Sequence, residues 1–118
     1  MDQSLTRSKQ LAAALPKGLL QRVVDHMDPV RIFVFGSRAR GSTHPDSDWD
    51  LLIVVDDDIA PERIDWRGLH EARRGIDGAI DLIPFRESNY RRREKIIGSL
   101  PWIAASEGVL VYERPTRG

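Results

Sequence analysis

RIFVFGSRARGSTHPDSDWDLLIVV, residues 31–55, contains two strand-forming runs separated by a polar loop, and the fold turns on how they are separated. Arg31 to Phe35 is short, rich in β-branched and aromatic residues, and ended by Gly36. Trp49 to Val55 is apolar almost throughout, the pattern of a strand covered on both faces. Between them, Ser37 to Ser47 reads as a loop with room for one helical turn. The loop begins in a Gly-Ser turn with two arginines, and it ends in Asp48 and Asp50 at the mouth of the apolar run.

Working outward, the flanks alternate helix and strand. Leu11 and Leu15 with their alanine neighbours predict a short N-terminal helix stopped near Pro16. Leu19, Leu20, Val23, Val24 and Met27 form one face of a second helix, closed by Pro29. After the apolar strand, Asp56-Asp57-Asp58 reads as a solvated turn with helix-start character. Pro61 suits a first helical turn, and Ile64, Leu69, Ala72 and Ile76 carry one helix to the glycines at 75 and 78. Ala79 to Phe85 is a third strand, and Pro84 puts it at an edge or makes its end irregular. Ser88 is the expected cap of a final helix bearing Ile96, Ile97 and Leu100, with Pro101 a kink or restart. Gly108 to Tyr112 is the last strand. The expectation is an α/β or α+β domain, about four strands covered by helices, spanning 1–118, with strand order open.

Composition narrows the function. The 118 residues carry 18 basic and 18 acidic side chains, so no global positive field draws the chain onto nucleic acid. There are no cysteines, which excludes thiolate metal sites and cysteine nucleophiles. The N-terminus lacks a signal-type apolar core, and the longest aliphatic run, Leu51 to Val55, is too short to cross a bilayer. A cytoplasmic protein is the expectation.

Side chains two apart on a strand point to the same face, so Asp48 and Asp50 would project together, about 7 Å apart along the backbone. Trp49 would point the other way, into the core. Two close carboxylates repel unless a cation sits between them, and an oxygen-only site favours a hard cation such as Mg²⁺. Asp81, inside an apolar strand, is the third candidate, because a lone acid there is expensive to bury. If its strand neighbours the first two acids, the three converge, and such a cluster can hold two ions about 3.5–4 Å apart for phosphoryl or nucleotidyl transfer. Taken singly, Asp-x-Asp is a common strand-edge pair and Asp81 could pair with an arginine. Likewise the amides of Gly36 and Ser37 can cradle phosphate, with Arg38 and Arg40 reaching the phosphate tail, yet Gly-Ser turns and solvated loop arginines are common.

Gly36-Ser37, ten residues, Asp48-Trp49-Asp50, and Asp81 in a later strand together resemble the signature of the DNA-polymerase-β-type nucleotidyltransferase superfamily. GSRARG…SDWDLLIVV is most similar to its minimal nucleotidyltransferases, the MntA-type antitoxins paired with HEPN-domain toxins. The resemblance runs from the helix at Leu19 through the strand at Tyr112, and it implies the small nucleotidyltransferase fold with a mixed sheet. It also implies that Gly36 and Ser37 hold the ATP triphosphate and that Asp48 and Asp50 ligate magnesium. Asp81 would complete a site for two ions and help activate the attacking hydroxyl. Arg38 and Arg40 carry over as phosphate contacts. Ser47 would steady the carboxylate loop, a turn or cap role remaining open.

Larger superfamily members bring a further domain for the acceptor, and this chain has no length for one. The resemblance therefore implies adenylylation of a tyrosine on a HEPN toxin, within a toxin–antitoxin hetero-oligomer, with no direct nucleic-acid or membrane partner. Two alternatives stay open: an antitoxin that neutralises by covering its partner without catalysis, and a small-molecule nucleotidyltransferase of the aminoglycoside type. The N-terminal helix (1–17) is available either for docking or for packing on its own domain. Arg91-Arg92-Arg93 and Lys95 are read as a solvated helix face or a contact for an acidic partner or RNA. His26, His44 and His70 lack metal-ligand spacing and receive no role.

Overall fold

The computed structural model describes residues 3–41 and 48–116. β1 (Arg31–Phe35) and β2 (Trp49–Val55) pair antiparallel with Phe35 opposite Asp50, so the loop between them is the connection of a long hairpin. β3 (Ile80–Arg86) adds to β2 in parallel, and β4 (Val109–Glu113) adds to β1 antiparallel. The result is a mixed four-stranded sheet of order β3-β2-β1-β4. Parallel neighbours need a crossover, and the chain between β2 and β3 supplies it with α3 (Trp66–Arg73).

Alternation on the strands sorts the apolar side chains to two faces. Trp49, Leu51, Ile53 and Val55 join Ile32, Val34, Ile80 and Leu82 in a core covered by α2 (Leu19–Met27) and α3, through Leu19, Val23, Met27 and Ala72. Leu52 and Val54 join Phe35 on the other face, under Tyr90 of α4 (Glu87–Arg93) and Ala104 of α5 (Leu100–Glu107). Leu51, Leu52 and Ile53 have no exposed surface, and each contributes about 1.5–3 kcal/mol by leaving water. Double cover explains why β2 reads as an unbroken apolar run. β3 is an edge strand, the first of the two placements Pro84 left open. α1 (Gln3–Ala14) packs along β4, with Leu11 against the core and Leu5 exposed. No helix among the described residues is long and apolar enough to cross a membrane.

Three local expectations need correction. The helix expected from Pro61 to Ile76 is split, because the Asp65 carboxylate accepts from the N–H groups of Arg67 and Gly68 at 3.0 Å each and starts α3 anew. Pro61–Arg63 remains a single 3₁₀ turn. The final helix is also divided: α4 ends at Arg93, Gly98 takes φ +88°, and Ser99 caps α5, its oxygen accepting from Trp102 N–H at 3.2 Å. Pro101 is thus a restart, while Ile96 and Ile97, 51% and 82% exposed, form no core. Finally, Ser88 does not cap α4. Its own N–H donates to Asp57 Oδ1 at 2.9 Å, and Arg86 donates to the Asp57 carbonyl at 2.6 Å. The acidic triplet therefore does more than turn the chain.

Its first member anchors the end of β4. Arg114 grips Asp56 with two 2.9 Å hydrogen bonds and reaches Asp28 Oδ2 at 3.4 Å, while its backbone N–H donates to Val30. These hydrogen bonds hold the Asp56 carboxyl below the usual range against an opposing effect of burial. A folded-state pKa below the unfolded one makes the pair stabilising above the unfolded value of about 4, and the contribution is lost as pH falls through the folded value. Asp56 is 44% exposed, so solvent screening keeps the effect small. Arg114→Leu is expected to lower the melting temperature by a few degrees at pH 7, with the gap to wild type closing below about pH 4. A gap constant with pH, read by thermal melts in steps, would show that the loss is packing rather than the ion pair.

Candidate active site

The carboxylates meet because of strand register. Asp50 is the Cα partner of Asp81 across the parallel β2–β3 pair and of Phe35 across the β1–β2 pair. Adjacent strands lie about 4.8 Å apart, so Asp50 and Asp81 are neighbours on one face, that of α4 and α5. Asp48 immediately precedes β2 and is exposed, as is Asp81, while Asp50 is half-buried. Burial first, then the charges of Asp81 and Asp48 and a hydrogen bond with Asp81, push the Asp50 carboxyl above the usual range. Arg40 opposes the shift. Acids arranged to repel one another are what a bound cation relieves, and their oxygen donors suit a hard one. Among the described residues, no three His, Cys, Asp or Glu side chains stand together as a ready-made metal site. Asp50 and Asp81 form the pair, and Asp48 acts on it from the strand mouth.

Gly36 closes the site from β1. It follows the residue opposite Asp50 and takes φ +77°, and a Cβ there would lie 2.5 Å from Asp50 Oδ2. Both the left-handed backbone and the close approach demand glycine. From Gly36 the chain makes one helical turn, with Arg40 N–H donating to the Gly36 carbonyl at 3.2 Å and Gly41 N–H to the Arg38 carbonyl at 3.4 Å. Ser37 is half-buried at the start of that turn and Arg40 is exposed. Ala39, which the sequence did not single out, is buried in the α2–α3 core and anchors the turn from beneath. Its signal is a small apolar residue between two arginines. Arg38 stacks over the Trp49 ring, its guanidinium carbon 4.4 Å from the centroid. Trp49 itself is buried against the α2–α3 core, as alternation required. Ser47 and His44 lie outside the described residues.

The model of the nucleotidyltransferase domain matches residues 16–104. The chain belongs to the nucleotidyltransferase domain family. Its fold is also that of two solved structures. One is a candidate nucleotidyltransferase from Sulfolobus solfataricus, 23% identical, aligned over 97% of this chain and 91% of that one with a TM-score of 0.56. The other is a toxin-antitoxin crystallised with AMP-PNP, 18% identical, aligned over 80% and 70% of the two chains with a TM-score of 0.55. No curated protein matches the chain significantly.

Proposed function

We propose that this nucleotidyltransferase is an antitoxin that adenylylates its toxin, moving AMP from ATP to a tyrosine of a HEPN-type partner in the cytoplasm. The observation that carries the reading is the Asp50–Asp81 pair closed over by Gly36. Membership of the nucleotidyltransferase domain family supports the reaction class. The toxin-antitoxin that shares the fold supports the setting.

In this reading Asp48, Asp50 and Asp81 hold magnesium, two ions in all, and the amides of Gly36 and Ser37 bind the phosphate tail. Magnesium, when bound, neutralises charge on the triphosphate and the departing pyrophosphate. The acceptor oxygen attacks the α-phosphorus, the bond from that phosphorus to the bridging oxygen of the β-phosphate breaks, and pyrophosphate leaves. Asp81 helps to draw off the proton of the attacking hydroxyl. The chain's own contribution is mainly to hold donor and acceptor in line.

The test is mass spectrometry of the neighbouring gene's product after incubation with this protein, ATP and magnesium. A mass gain in adenylyl-sized steps on tyrosine is expected. Unmodified partner, bound and inhibited all the same, would replace catalysis by masking.

A further inference from the structure

The two arginines of the turn were expected to act alike, and the structure separates them. Trp49 lies between Asp48 and Asp50 in sequence, so strand alternation turns its ring to the opposite face of the sheet from theirs. Arg38 lies over that ring, on a residue buried with Ala39 in the α2–α3 core. Arg40, two residues on, is exposed, and its charge is the one that acts favourably on Asp50. A guanidinium over an indole is attracted by the ring's negative face, and this contact joins the Gly36–Gly41 turn to the first residue of β2.

We infer that Arg38 is a positioning residue, whose stack on Trp49 sets the distance between the turn's amides and the carboxylates of β2, and that Arg40 alone meets the anion. The inference rests on the site being a nucleotide site, and it deepens that reading by assigning the phosphate contact to one arginine. Losing the stack loosens the turn without removing a ligand. Losing Arg40 removes a ligand without loosening the turn.

A double-mutant cycle separates the roles, with the magnesium complex of AMP-PNP as titrant. Arg38→Met is expected to weaken binding about three- to tenfold in the native background and less than about twofold when Trp49→Leu is already present. Arg40→Met is expected to cost about tenfold in both backgrounds. Trp49→Phe keeps a ring in the core but offers the guanidinium a weaker face, so it is expected to cut the Arg38 factor to about half, which covers the case in which Trp49→Leu folds poorly. Equal losses from Arg38→Met whether residue 49 is Trp or Leu, or Trp or Phe with an undiminished factor, would make Arg38 a direct phosphate contact and overturn the inference.

Hydrogen exchange of the ligand-free protein gives a second readout. The Arg40 and Gly41 amides, which close the turn, are expected to exchange several-fold faster in Arg38→Met and no faster still in the double variant. Unchanged exchange overturns the stack as a clamp. If wild type fails to bind the nucleotide while exchange responds as expected, the nucleotide reading fails and the clamp stands.

Discussion

Replacing Asp50 by Asn is expected to lower adenylyl transfer by about a thousandfold, equivalent to about 4 kcal/mol of barrier, while leaving the fold intact. Asn has nearly the same shape, so β2 keeps its register with Asp81 and with Phe35. What disappears is a carboxylate that burial and two like charges already hold uncomfortably. In magnesium-free buffer the variant should therefore melt at or slightly above the wild-type temperature. Following transfer to the partner by mass, and melting by circular dichroism, separates the two effects. Transfer within tenfold of wild type would remove Asp50 from the chemistry. Transfer lost with the partner still neutralised would mean that the protein acts by covering its target.

Gly36→Ala tests the same site from the other wall. A left-handed residue other than glycine costs about 1 kcal/mol, a modest loss for the fold as a whole. The new methyl group would sit 2.5 Å from Asp50 Oδ2, and a carboxylate at the end of a side chain can move aside. Stability should thus fall little. Activity should fall about a hundredfold, because a misplacement of about 1 Å at a reacting centre is that damaging. The effect should also be strongly non-additive with Asp50→Asn, since the methyl group acts through the group that variant removes. Steady-state transfer rates of the single and double variants check both statements, and additive losses would mean that Gly36 matters for another reason.

Much of this was legible because the chemistry lies within short spacings. Phe35-Gly36 and Trp49 to Val55 announce a strand, a turn and a doubly covered strand by composition alone. Asp48 and Asp50 share a face by period-two geometry. What was not legible depends on partners distant in sequence. The parallel register that brings Asp81 beside Asp50 depends on a crossover through residues 56–79, which periodicity does not encode. The first turn of α4 is capped by Asp57, thirty-one residues before Ser88, and a serine at the helix start imitates a local cap. The breaks at Asp65 and Ser99 were misread for a different reason. Apolar spacing at Ile64, Leu69, Ile96 and Ile97 imitates a continuous helix, whereas the capping side chains and the positive φ of Gly98 decide otherwise. Arg38 and Arg40 read alike because both are loop arginines beside a Gly-Ser turn, and the indole that Arg38 lies over is eleven residues away.

The Asp50–Asp81 rung has a bearing on how the chain acquires its activity. A β1–β2 hairpin can form from local contacts and already brings Gly36 to Asp50, but Asp81 arrives only when an edge strand docks in parallel, a late event for a pairing of high contact order. Charge repulsion between the two acids works against that docking, and any cation they share works for it. A nascent chain would then gain the complete carboxylate pair only with the closing of this parallel rung, and a cation bound there for the chemistry would also hold an edge strand in place.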